Sequence, residues 1–138
     1  MNTHVDFKTA KRLKDKGFDS QNCSFGYQKS GKLEKGISMT NLGIDFFYKG
    51  EIFEEKNSWD WICLAPTIAE VVMWLYEKHG IWISVNKDIN YKWANNYFNY
   101  QIISENKGSA FSDIGGTQPN TPTEAYQEAI KYVLTNLI

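Results

Sequence analysis

Two cysteines, three prolines and two histidines are few for a chain of this size, and each scarcity excludes something. Cys23 and Cys63 cannot form the multi-bridge framework that holds small secreted domains together. They are expected to be reduced and buried as small apolar side chains. His4, His79, Cys23 and Cys63 are the only imidazoles and thiols, and none is paired at the short CxxC or HxxxH spacing that structural zinc sites use. No metal and no cofactor are therefore expected. Proline at 3 and glycine at 10 argue against a chain dominated by disorder. The longest apolar run, Val71 to Tyr76, is far short of the roughly 20 residues a membrane span needs. The opening residues Met1 to Lys8 hold no apolar stretch behind their charges, so no signal peptide is expected and the cytoplasm is the default location.

What is present suits one folded domain over residues 1–138. Hydrophobic residues make up 42% and aromatic residues 15%, enough rings to build a thick core. Net charge is −1 but unevenly spread. Residues 1–35 carry 8 Lys/Arg against 4 Asp/Glu, and the remainder carries 7 against 12. The bland reading of that basic front is a solvated helix face; the alternative is contact with phosphate or an acidic partner.

Three helices are punctuated in the sequence. The first is expected over Phe7–Lys16, capped by Asp6 and stopped at Gly17, with Phe18 folding back on Leu13. Lys8, Arg12 and Lys16 recur every four residues on it. The second spans Ile68–His79 behind a Thr67–Glu70 capping box and ends like the first, at Gly80. It shows little polar face and is expected to be the most buried element. The third starts at Pro122 behind Thr121 and Glu124 and runs to the C-terminus.

Period-two alternation marks strands around Cys23–Tyr27, Leu42–Tyr48, Ile81–Val85 and Phe98–Ile103, with a short fifth around Tyr91–Trp93. The order is α-β-β-α-β-β-α. That order predicts an α+β two-layer sandwich: a mainly antiparallel sheet of about four strands with three helices on it. Glu51–Leu64 and Asn106–Asn120 read as surface loops. The similar endings of the first two helices leave an internal duplication open beside shared capping chemistry.

No stretch carries a catalytic signature. Gly26–Leu33 nearly matches a phosphate-binding loop, but Leu33 stands where a hydroxyl must meet magnesium, and the flanks read as a hairpin. Cys63 precedes a helix N-terminus, a place that can activate a thiol, yet no base stands near it in the sequence. Glu51, Glu54, Glu55 and Asp60 gather acids in one loop without calcium-loop spacing. Asn22-Cys23-Ser24 matches a glycosylation acceptor, irrelevant without secretion. The stretch Tyr91–Gln101 interleaves rings with amides, as base-stacking surfaces do, but Lys92 alone offers charge to phosphate.

The residues Cys63–Ile81 are similar to a segment common in short uncharacterised proteins of gut Bacteroidetes and their prophages. Those proteins also open with a helix like Thr9–Phe18 and close with one like Thr123–Ile130. The resemblance implies no particular activity and transfers no site residue; it implies an accessory protein of a mobile element. The expectation is a non-enzymatic binding or accessory protein, with another protein as partner and Trp59, Trp61, Trp82 and Trp93 as the working surface. The first alternative is nucleic-acid binding through Lys8, Lys11, Arg12 and Lys16. The second is a small hydrolase or metal-dependent enzyme using Cys63 or the acidic loop.

Overall fold

The computed structural model describes residues 3–19, 23, 25–35, 47–48, 51–52, 61–87, 97–106, 108–112 and 119–138. These form an α+β protein with antiparallel sheets, in two compact units: His4–Thr67, and Ile68–Ile138 together with Met1–Thr3.

The first unit holds α1 (Phe7–Asp15), β1 (Phe25–Gln28), β2 (Leu33–Lys35), β3 (Phe47–Tyr48), β4 (Glu51–Ile52) and β5 (Trp61–Leu64). Asp6 caps α1 by accepting from the Thr9 N–H at 2.8 Å. At the other end Phe18 N–H donates to the Leu13 carbonyl and Gly17 N–H to that of Lys14, with Gly17 at φ +82°. This crossed pair is a Schellman stop, and its apolar contact has both members, Leu13 and Phe18, buried. β1 is the middle strand of the sheet β2-β1-β5, and α1 packs on β5. The Tyr27 hydroxyl donates to the Val5 carbonyl at 2.6 Å inside this core. β3 and β4 pair as a separate hairpin.

The second unit holds α2 (Ile68–His79), β6 (Ile81–Lys87), β7 (Phe98–Ser104), β8 (Ser109–Ser112) and α3 (Pro122–Asn136). β6, β7 and β8 form an antiparallel meander with β7 in the middle. Their register runs from Ile81↔Ser104 to Lys87↔Phe98 without a break. Alternation does what the sequence requires: Ile81, Ile83, Tyr100 and Ile102 turn inward, while Trp82, Gln101 and Ile103 turn out. α3 lies against β6 and β7 and buries Ala125, Ala129, Ile130, Val133 and Leu134. Its cap closes as a box shifted by one residue. Thr121 accepts from Glu124 N–H, while the Glu124 carboxylate accepts from Asn120 N–H and not from the cap residue.

Several expectations change. Trp61–Leu64 is a strand, not a loop, because four consecutive apolar residues fit a strand with little solvated face. Ser109–Ser112, also expected in a loop, is β8. The α+β class with three helices and antiparallel pairing holds, while the single sheet of about four strands becomes eight described strands in three sheets. α2 is not buried all round: Met73 and Tyr76 face solvent. Its stop differs from that of α1. Gly80 N–H donates to the Tyr76 carbonyl, and Ile81 goes directly into β6 instead of folding back. The sheets differ too: the strand after α1 is central in its sheet, the strand after α2 is at an edge. What the two helix ends share is a left-handed glycine, Gly17 at φ +82° and Gly80 at φ +62°. The expected strand Tyr91–Trp93 and residues 42–46 of the second strand lie outside the described residues.

Candidate functional site

The near match to a phosphate loop is a hairpin. Gly31 N–H donates to the Gln28 carbonyl at 2.8 Å, and Gln28 N–H donates to that of Lys32 at 3.0 Å. With Gly31 at φ +81° this is a three-residue turn closed by a left-handed glycine. A strand follows it, not a helix, so no helix N-terminus is aimed at a phosphate. Lys32 is spent on Glu34 at 2.6 Å, an exposed pair of small energetic weight.

The two thiols are free and buried. Cys23 Sγ donates to the Phe25 carbonyl at 3.3 Å. Cys63 stands opposite Tyr27 in the β1–β5 ladder. Burial pushes its thiol up to about 11 from the ordinary 9.0, against the smaller opposing pull of Lys14 and Lys11. A thiol held neutral in this way is a poor nucleophile at physiological pH. His79 belongs to the other unit, where its ring meets Trp74 edge-on at 4.8 Å and its carbonyl accepts from Asn106 Nδ2. Among the described residues no group of three or more His, Cys, Asp and Glu could hold a metal ion. The Glu51 backbone lies in β4, its side chain is outside the described residues, and so are Glu54, Glu55 and Asp60.

The raised thiol makes a pH prediction. A folded pKa above the unfolded one favours the protonated thiol, so its stabilisation is full below about pH 9 and is lost as pH climbs toward about 11. Burial raises Tyr27 in the same direction. The stability gap between the wild type and Cys63→Ala should therefore shrink between pH 8.5 and 11, by at most roughly 2 kcal/mol and by less where solvent screens the site. Urea midpoints of both proteins across that range measure it, and parallel curves would remove the thiol as the cause.

On α1, Lys8, Lys11 and Lys16 are exposed and Arg12 is half-buried. Lys11 Nζ lies 5.2 Å over the Phe7 ring, which also meets Tyr27. A lysine that covers the ring leaves that face of it closed to a nucleobase. The rings and amides of Tyr91–Gln101 divide as a half-buried strand: Tyr100 is inside, Gln101 outside, and Phe98 and Asn99 are half-buried, with 91–96 outside the described residues.

Of the four tryptophans singled out in the sequence, Trp82 is placed at the surface. Trp59 and Trp93 lie outside the described residues, as does the side chain of Trp61. Trp82 does not stand by itself. Exposure is 42% for Trp82, 39% for its cross-strand partner Ile103, 44% for Tyr76 and 46% for Met73, values typical of polar surface positions rather than large apolar ones. The Tyr76 and Trp82 rings meet edge to face at 5.7 Å. Met73 lies one helical turn before Tyr76, on the same face. Sequence reasoning found Trp82 and missed the other three. α2 is apolar on nearly every side in sequence, so nothing marked which side would face outward.

The geometry is therefore a ridge of four large apolar side chains running from the outer face of α2 across the β6–β7 pair. It has no nucleophile, base or metal ligand set among its described members. Among the described residues no helix is long and apolar enough to cross a membrane. Comparison of the chain with protein-family models, curated proteins and solved structures finds no match.

Proposed function

We propose that this chain is a non-enzymatic binding or accessory protein whose partner is another protein, held on the ridge Met73–Tyr76–Trp82–Ile103. The observation that carries the reading is the contiguity of four exposed large apolar side chains, joined by one ring contact and one cross-strand pair. Contiguous apolar surface of this kind marks interaction sites, where scattered single residues do not. Tryptophan and tyrosine are also the residues that most often dominate a protein interface. The resemblance to short proteins of gut Bacteroidetes and their prophages supports an accessory role in a mobile element. Burial that holds the Cys63 thiol neutral weighs against its use as a nucleophile in the hydrolase alternative.

The test is retention of a host protein on the immobilised chain, quantified for the wild type, Trp82→Ala and Ile103→Ser. Loss of Trp82 should cost about 2 kcal/mol of binding, roughly thirtyfold in Kd. The urea midpoint should move little, because the indole is on the outer face. Equal retention by all three proteins would take the ridge out of the interaction.

A further inference from the structure

Resting on that reading, the charges around the ridge assign the chemistry of what covers it. Glu77 shares the outer face of α2 with Met73 and Tyr76, and Glu70 stands one turn before Met73 on the same side. Glu105 follows Ile103 by two residues and is exposed. It stands at the C-terminal end of α2, where the Glu105 N–H donates to the Gly80 carbonyl at 3.0 Å. Along β6 and β7 the outward positions carry Trp82, Ser84, Asn86, Asn99, Gln101 and Ile103, none of them a cation. Lys78 is exposed too, but it sits on the arc of Val71 and Trp74, which is turned away from Met73. Among the described residues, the ridge is thus apolar along its length and flanked by the exposed carboxylates of Glu77 and Glu105, with Lys87 the exposed cation at the far end of β6.

We propose that this surface receives a cationic amphipathic segment of a protein partner. The segment lays its apolar face along Met73, Tyr76, Trp82 and Ile103, and its lysines or arginines reach the exposed Glu77 and Glu105. Apolar contact supplies the affinity, and the carboxylates select sign and orientation. A neutral or acidic apolar segment meets the same ridge without that selection, and an acidic one meets repulsion.

Two labelled helical peptides of identical leucine pattern, one with lysine and one with glutamate at every polar position, separate these outcomes. The lysine peptide should bind the full chain at least about tenfold more tightly at low salt, with the gap narrowing as salt screens the exposed charges. The Glu77→Gln/Glu105→Gln double variant should reduce that gap to about threefold while keeping the wild-type circular dichroism. Trp82→Ala should weaken the lysine peptide in either background. Equal binding of the two peptides that is still sensitive to Trp82→Ala would overturn the charge assignment and leave the apolar ridge standing. Binding insensitive to Trp82→Ala would remove the ridge itself. A concentration-dependent dimer in sedimentation that Ile103→Glu abolishes would give the face to a second copy and overturn the proposal.

Discussion

Leu75→Ala should cost the protein about 3 kcal/mol, while Met73→Ala, two residues away on the same helix, should cost less than about 0.5 kcal/mol. Leu75 is completely buried beneath α2, and Met73 is 46% exposed. α2 packs on both β6 and α3, so the space vacated by the leucine is walled by two elements that are themselves fixed. β6 is held by seven register pairs to β7, and α3 by its own cap and five buried apolar positions. Neither can collapse far into the hole, which puts the loss toward the cavity-dominated end of the leucine range. Truncating Met73 exposes no core and opens no void. Urea titrations of the two variants at unchanged m-value measure the contrast. Comparable losses would mean that the outer face of α2 is engaged as tightly as its inner one, and would also remove the surface on which partner binding is proposed.

Elements with local punctuation were legible in the sequence; elements defined by their partners were not. The three helices begin and end where Asp6, Gly17, Gly80 and Thr121 place their bounds, since a cap is chemistry within a few residues. β6 and β7 were legible because each alternates cleanly over a long stretch. Trp61–Leu64 has no alternation to read, and acids precede it; only pairing with β1 makes it a strand. Ser109–Ser112 has small polar ends and is a strand because β7 offers it an edge. The same limit applies to the candidate site. Trp82 alternates visibly with Ile81 and Ile83, so its outward direction could be read. Tyr76 and Met73 could not, because a helix that is apolar nearly all round takes its exposed face from where the sheet and α3 leave it open. The carboxylate of Glu105 comes to α2 only through the turn that follows β7, a tertiary fact with no sequence period.

Leu13→Ala should release α1 from its unit at a cost of about 3 kcal/mol, where Leu13→Met should stay below about 1.5 kcal/mol. α1 has nine residues, too few to hold a helix in water without tertiary support. Its buried members are Thr9, Ala10 and Leu13. Ala10 contributes little area, and the Thr9 hydroxyl is buried with no hydrogen-bond partner among the described residues, which costs stability instead of adding it. Leu13 is left as the one fully buried large side chain of the helix, beside a half-buried Phe7 that meets Tyr27, and it is also the C3 position of the Schellman stop. Its carbonyl accepts from both Lys16 and Phe18, and its side chain and that of Phe18 are buried together. Shortening it to alanine removes the apolar half of the motif and leaves hydrogen bonds that water can replace. The Asp6 cap at the other end is worth about 1 kcal/mol and cannot hold the helix against the unit by itself. Methionine keeps the volume and the flexible reach that the contact with Phe18 needs. Hydrogen exchange reads the difference directly: the amides of Leu13, Lys16 and Phe18 should lose protection in Leu13→Ala and keep it in Leu13→Met. Retained protection in the alanine variant would mean that the cap and the exposed lysine face hold α1 in place, and that a basic helix of this length stands without its anchor.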